Sequence, residues 1–352
     1  MTPYFSICVP QYNRTSFLIE ACRSLSMQTF KDFELCISDD CSNDNKEEAL
    51  LSFLKASGMR FVYKKQEKNV RYDVNLRTSL SMASGRYSFL LGNDDALATP
   101  TVLEEIYAEI QKNPSAGVVI TNYESFSTGV PLRRIRQSGL LGSGPAVAAK
   151  HFRNFSFVSG VLLLTSRAQA HATSRWDGSE MYQMFIGCRM IAEGLPLLGI
   201  DKVAIREGIK ISNEDVDSYR SRPKLDPCPI EERTIPLNLF GRVTVDAIEP
   251  FVSGGERERL VGDILSQFLI FTYSYWIFEY RRIQSWKYAV GICLGMRPRN
   301  IFKGIRIGFW LRTRLLLCYS VITLFCLVAP GKVFFALYPK LYSIAKSFAK
   351  GR

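Results

Sequence analysis

The sequence predicts an α/β fold with a mainly parallel sheet covered by helices on both faces. Short apolar runs of strand length alternate with segments of helical spacing as far as Asn122, and the intervals leave no room for hairpins. Polar or acidic clusters close several of the runs. Phe5 to Val9 is a strand broken by Pro10, and Phe17 to Met27 carries apolar residues near helical spacing. The pattern repeats with Phe33 to Ser38 as strand, Lys46 to Lys55 as helix, Arg60 to Tyr63 as strand and Val74 to Ala83 as helix. Tyr87 to Leu91 then reads as strand, Thr101 to Gln111 as helix, Val118 to Asn122 as strand and Phe155 to Leu164 as a further strand. Ligands of such sheets bind beyond the carboxyl ends of the strands, so the residues that follow each strand are the candidates for chemistry.

At about 150 residues per domain, the length of 352 residues corresponds to about two domains and excludes a disulfide-stapled miniprotein. Hydrophobic residues make up 47% and charged residues 22%, which excludes a disordered chain and a polytopic membrane protein. Nine cysteines without a C-x-x-C spacing sit mostly among apolar neighbours and read as reduced core residues of a cytosolic protein. The opening MTPYFSICVPQYN lacks a basic region followed by an apolar one, so a cleaved secretion signal is not expected.

The net charge of +12 is unevenly placed. From Arg281 onward there are 14 Lys or Arg and no Asp or Glu, whereas the first 280 residues carry 31 basic and 33 acidic side chains. A basic segment attracts polyanions, either nucleic acid or anionic lipid. Here Arg297, Arg299, Lys303, Arg306, Arg312 and Arg314 interleave with bulky apolar residues, and the ending KLYSIAKSFAK does the same. That mixture fits helices lying in a membrane interface better than nucleic-acid binding, which calls for more polar, base-reading side chains. The uncharged runs Ile264 to Phe278 and Leu315 to Gly331 contain 15 and 17 residues, short of the roughly 20 of a spanning helix. A single span near Leu315 and an ordinary helical subdomain stay open as alternatives. The domains expected are 1–205, a proline-rich connector or flap at 206–258, centred on SNEDVDSYRSRP, and a basic amphipathic helical membrane-associating region at 259–352.

Three clusters lie where the sheet places ligands: Pro10, Gln11, Tyr12 and Asn13; Asp39 and Asp40; and Asn93, Asp94 and Asp95 after Gly92. Adjacent carboxylates repel unless a cation or bound hydroxyls compensate, and oxygen-only ligands suit a hard ion such as Mg²⁺ or Mn²⁺. Phosphates of a ligand would complete the shell. An Asp-Asp pair after a strand also serves as a helix N-cap, the plain alternative for Asp39 and Asp40.

The run SICVPQYNRTSFLIEACRSLSMQTFKDFELCISDDCSNDN resembles the opening of family 2 glycosyltransferases of the GT-A fold. KNVRYDVNLRTSLSMASGRYSFLLGNDDAL resembles the segment that leads to the family's D-x-D-type motif. The resemblance covers residues 5 to 112 strongly and 113 to 205 loosely. It implies a nucleotide-sugar donor, with Pro10, Tyr12 and Asn13 lining the base pocket, Asp40 accepting hydrogen bonds from base or ribose, and Asp94 near ribose and sugar. Asp95 would be the metal ligand, with Asp94 or Asn93 in support, and Mn²⁺ or Mg²⁺ the cofactor. The departures are Gln11 for the common Thr, Asn93 for the first Asp, and Arg71 where Gly is frequent, which would let Arg71 reach a phosphate. Asn75 matches a recurring Asn.

Removing a proton from an acceptor hydroxyl needs a general base. The only histidines, His151 and His171, read as surface residues. In RWDGSEMYQMFIGCRMIAEG the resemblance makes Glu180 the base, with Asp177 in reserve; Trp176 beside it reads equally as a stacking face for an acceptor sugar or as a core residue. GNDDALATP resembles the abequosyltransferase-like branch that builds bacterial O-antigen units, so the acceptor expected is a polyprenyl-diphosphate-linked sugar at the cytoplasmic face of the membrane. A polyprenyl-phosphate sugar synthase and an inactive membrane-bound scaffold are the rival readings. A nucleotidyltransferase would carry a Gly-rich phosphate loop, which PQYNRTSF lacks.

Overall fold

The computed structural model describes residues 2–212, 235–283, 286–330, 332–333 and 336–337. The chain divides into two compact units, Met1–Ser218 and Tyr219–Arg352. The expected flap SNEDVDSYRSRP, Ser212 apart, and the ending KLYSIAKSFAK lie outside the described residues.

The first unit opens with β1 (Phe5–Gln11), α1 (Thr15–Ser26), β2 (Phe33–Asp39), α2 (Glu47–Ser57), β3 (Arg60–Lys65) and α3 (Arg71–Ser81). It continues with β4 (Tyr87–Leu90), β5 (Ala96–Leu97), α4 (Val102–Lys112), β6 (Val118–Ser125), β7 (Pro131–Leu132) and β8 (Gly139–Gly142). It closes with α5 (Pro145–His151), β9 (Val161–Leu164), α6 (Thr165–Ala170), α7 (Tyr182–Ala192) and β10 (Leu197–Glu207). The strands form one sheet in the order β3-β2-β1-β4-β9-β6-β10-β5, with β7 on β6 and β8 on β10. Parallel pairing joins β1 to β2 and β4, β2 to β3, and β6 to β10.

Buried strands of this kind read as near-continuous apolar runs, as β1 and β2 do. Phe5, Ile7 and Val9 pack with Leu18, Cys22 and Leu25 of α1, Leu50 and Leu54 of α2, and Leu103, Ile106 and Ile110 of α4. Each fully buried Leu, Ile or Phe side chain contributes about 1.5–3 kcal/mol. The order β3-β2-β1-β4 means that the chain first winds one way from β1 and then returns to its other side. Right-handed crossovers therefore put α3, which packs on β1 and β2, on the face opposite α1 and α2. The switch in winding lies between β1 and β4, the crevice where ligands of such sheets bind.

Several sequence expectations are corrected. Pro10 does not end β1: Cys8 directs its carbonyl to β4 and Gln11 directs its own to β2, so Pro10 points its donorless nitrogen toward β4, beyond the last β4 pair at Leu90. Phe155 to Leu164 is not one strand; a 3-10 turn, Phe152–Ser156, precedes β9. β9 runs antiparallel between β4 and β6, and β6 with β7 does form a hairpin. Entry into β9 depends on Gly160, at φ 77°, where a Cβ would lie 2.3 Å from Thr121 Oγ1. The boundary expected after residue 205 falls inside β10.

In the second unit, much of the expected connector is helical, as Ile235–Ile248 and Gly254–Gln267, with Pro250 in the short turn Glu249–Phe251. The uncharged run from Ile264 folds into that unit's own core, burying Ile264, Leu265, Phe268, Tyr273 and Ile277. The run near Leu315 gains length from the residues ahead of it and forms the helix Phe309–Val328, Arg312 and Arg314 included. By length and composition its 20 residues are long and apolar enough to cross a membrane, and Trp310, Leu317, Leu324 and Val328 are exposed along it.

Candidate active site

The ends of β1, β2 and β4 are held together by a polar network at the crevice. Asp40 N–H donates to the Gln11 carbonyl at 2.8 Å, carrying the β1–β2 ladder one residue past the strand end. Gln11 is buried; its Nε2 donates to Thr15 Oγ1 and to the Asn13 carbonyl, and its Oε1 accepts Asn93 Nδ2 at 2.7 Å. Gln11 therefore ties the β1 turn to the β4 end, an arrangement that needs both a donor and an acceptor on one side chain. Asn13 adopts a left-handed φ of 50°, and its Oδ1 accepts the Asn43 N–H beyond β2. Tyr12 stands at the mouth, 44% exposed, so its ring is open to a ligand.

The carboxylates of the crevice differ in environment. Asp39 is tied down locally, its Oδ1 accepting Ser42 N–H and its Oδ2 the Tyr63 hydroxyl. Asp40 is buried, and its two oxygens accept the N–H groups of Val70 and Arg71 at 2.5 and 2.9 Å. Burial raises its pKa in spite of those bonds. It thus caps the N-terminus of α3, and it retains lone pairs for a second donor. Asp94 pairs with Arg14, whose backbone is left-handed at φ 57°.

Asp95 is the most perturbed of the set. Its Oδ2 accepts the Ser159 hydroxyl at 2.5 Å and its Oδ1 accepts Gly208 N–H at 3.0 Å. Burial, with the charge of Asp94 adding to it, pushes its carboxyl up to about 8. Gly92 admits this packing, because a Cβ there would lie 2.8 Å from Asp95 Oδ2. Behind Ser159 is the buried guanidinium of Arg134, which donates to the carbonyls of Thr121, Asn154, Phe157 and Ser159. Burial lowers the pKa of Arg134 to about 10.

A divalent ion fits here in part. A desolvated carboxyl held near 8 beside a second carboxylate is a site that a cation would stabilise, and both ligands are hard oxygens. Among the described residues no group of three or more His, Cys, Asp or Glu could hold a metal, so the remainder of the shell would come from phosphate and water.

The second half of the site is the loop that precedes α7. Glu180 is half-buried with a left-handed φ of 59°, a conformation that costs a residue with a Cβ roughly 1–2 kcal/mol. Its N–H and that of Tyr182 donate to Asp73 at 2.8 and 3.1 Å. Asp73 is buried, which raises its carboxyl to about 6 against those bonds. One turn further along α3, Arg77 makes a bidentate pair with Asp177 and donates to the Thr173 carbonyl. Asp177, the reserve base, is thereby engaged as a structural anion. Trp176 is buried, in keeping with the core reading rather than the sugar-stacking one, and the Arg175 guanidinium lies 5.8 Å from its ring centroid. His171 bonds Glu193 and His151 lies by Asn154, in keeping with structural roles. Arg71 is exposed at the start of α3, and Asn75 donates to the Gln11 carbonyl while its buried Oδ1 has no partner among the described residues.

Sequence reading did not single out Arg14, Asp73, Ser159 or Arg134 as site residues. Asp73 left a signal, a carboxylate two residues before Asn75 on an otherwise polar turn. Ser159 and Arg134 reach Asp95 only through the sheet's long-range topology.

Residues 6–170 match the family model described as glycosyl transferase family 2. Abequosyltransferase RfbV of Salmonella typhimurium is 38% identical over 95 residues, which is 26% of this chain and 28% of that protein. The Campylobacter jejuni GalNAc(5)-diNAcBac-PP-undecaprenol beta-1,3-glucosyltransferase is 32% identical over 95 residues, 27% of this chain and 31% of that protein. The chain thus spans about a third or less of the length of these two relatives. The structure of S. aureus TarS 1-349 in complex with UDP matches with a TM-score of 0.60 at 14% identity, over 92% of this chain and 90% of that one. The mannosyltransferase PcManGT from Pyrobaculum calidifontis, in complex with GDP-Man and Mn²⁺, matches with a TM-score of 0.53 at 12% identity, over 92% and 88%. These likenesses show a GT-A-like α/β fold. Residues 6–170, a little under half of the chain, carry its likeness to glycosyl transferase family 2.

Proposed function

We propose that the protein transfers a sugar from a nucleotide-sugar donor to a hydroxyl of a lipid-linked sugar acceptor, with inversion, in bacterial surface-polysaccharide assembly of the O-antigen type. The observation that carries this reading is Asp95, a buried carboxyl bonded to Ser159 and Gly208 beside Asp94 at the crevice end of β4, within the segment that matches the family. The name of the Salmonella relative supports sugar transfer, and that of the Campylobacter relative, which carries PP-undecaprenol, supports a lipid-linked saccharide acceptor. The UDP and GDP-Man complexes of the structural neighbours support a nucleotide-sugar donor.

In this reading Tyr12 offers its ring to the base, with Pro10 and Asn13 forming the pocket wall. Asp40, fixed by its two backbone bonds, accepts from the base or ribose with its remaining lone pairs. Asp94 lies toward the ribose, and Arg14 and Arg71 lie near the path of the diphosphate. Asp95, supported by Asp94 or Asn93, would hold Mn²⁺ or Mg²⁺, which offsets charge on the departing diphosphate. Glu180 takes the proton of the acceptor hydroxyl as its oxygen bonds the anomeric carbon and the bond to the diphosphate breaks on the opposite face. The second unit, with its exposed apolar helix and its basic residues, would keep the enzyme at the cytoplasmic face of the membrane.

Calorimetric titration of the full chain in detergent with UDP, GDP, CDP and dTDP, each with Mn²⁺ or EDTA, tests the donor site. Metal-dependent binding of one nucleotide, lost in Asp95→Ala, is the expected result. Failure of the folded protein to bind any of the four would turn the reading toward a scaffold.

A further inference from the structure

Asp73 and Arg77 stand four residues apart on α3, hence on one face of that helix, and together they hold the loop that carries Glu180. Arg77 takes the early part, at Thr173 and Asp177. Asp73 takes the late part, with one carboxylate oxygen on Glu180 N–H at 2.8 Å and the other on Tyr182 N–H at 3.1 Å. These donors flank a residue whose left-handed backbone is unfavourable for glutamate, so an external restraint is needed to keep it there. An ionised carboxylate, an acceptor at both oxygens, matches two converging N–H groups, whereas an amide supplies one acceptor and one clashing donor. The same α3 is anchored at its N-terminus by Asp40 through Val70 and Arg71. One helix therefore connects the nucleotide side of the crevice to the loop of the base.

We infer that Asp73 is a positioning residue: its carboxylate clamps the backbone of Glu180 and Tyr182 and so sets the direction in which the Glu180 side chain meets the acceptor. The inference rests on Glu180 being the general base. Asp73 itself touches neither substrate nor metal in this scheme.

The test compares wild type, Asp73→Asn, Glu180→Gln and the double variant as full chains in detergent. Activity is read as nucleoside diphosphate released from UDP-, GDP-, CDP- or dTDP-glucose with water as acceptor, alongside amide hydrogen exchange. Asp73→Asn is expected to lower kcat by at least about tenfold while KM for the donor changes less than about twofold. It should also speed exchange at the Glu180 and Tyr182 amides by at least about tenfold, with β1 and β4 unchanged. In the Glu180→Gln background the kcat effect of Asp73→Asn should vanish. A loss of the same size in both backgrounds, or unchanged exchange at the two amides, overturns the positioning role. Wild-type release by Glu180→Gln removes the base reading and the positioning role with it, and the exchange result then shows whether the clamp itself exists. Should Asp73→Asn fail to fold, Asp73→Ser, which keeps one acceptor, carries the same comparisons.

Discussion

The two halves of the candidate site are built differently. The half proposed for the nucleotide sits at the ends of three adjacent parallel strands, where backbone pairing fixes which residues meet, as Gln11 meets Asp39 across β1 and β2. The half proposed for the acceptor is an irregular loop whose shape depends on two side chains of α3 about a hundred residues earlier. Strand ends convert sequence spacing into geometry, whereas a loop needs long-range contacts to acquire any geometry at all. Damage should therefore separate binding from turnover according to which half is touched.

Glu180→Gln should separate them most. Turnover is expected to fall by roughly 10²–10⁴-fold, the usual worth of a general base, with nucleoside diphosphate affinity unchanged by calorimetry. A matching loss of affinity would place Glu180 in the nucleotide half. Ser159→Ala should do the reverse and weaken Mn²⁺-dependent nucleotide binding by about 10–100-fold, because it removes the hydrogen bond that favours ionised Asp95.

Acidity provides a graded version of the same contrast. Asp95 must be ionised to hold a cation, and its carboxyl lies at about 8 in the folded protein against an ordinary value of 3.8. Mn²⁺ affinity should then weaken by about tenfold for each pH unit below 8. The sign for stability is opposite. A raised carboxyl favours the folded protein when protonated, so the metal-free protein should lose stability as pH rises from about 4 to 8 and level off above. Thermal melts of wild type and Asp95→Asn in EDTA should diverge over that interval, the variant melting higher at pH 8; parallel melts would count against a buried, protonated Asp95. Arg77→Met should have the smallest effect, a severalfold drop in turnover with binding retained, since its ion pair with Asp177 is partly exposed.

The alternation of strand and helix and the three polar clusters were legible because each depends on neighbours in sequence. Pro10 misled about where β1 ends because the direction of its nitrogen depends on where β4 stops. Trp176 stayed open between a sugar platform and a core residue because aromatic identity says nothing of burial, and the fold buries it. Asp177 stood in reserve behind Glu180, and its engagement by Arg77 depends on a contact a hundred residues away that the sequence does not display. The helix Phe309–Val328 exceeded its uncharged run because basic residues near a helix end do not interrupt it.

Arg134 has a dynamic consequence. Its guanidinium fastens carbonyls at residues 121, 154, 157 and 159, joining the middle of a central strand to a turn that would otherwise behave as a surface loop. Opening that turn alone would strand a desolvated cation with its donors unmatched. The segment before β9 should accordingly open only together with the sheet, as one cooperative unit, and its amides should exchange at the slow rate of β6.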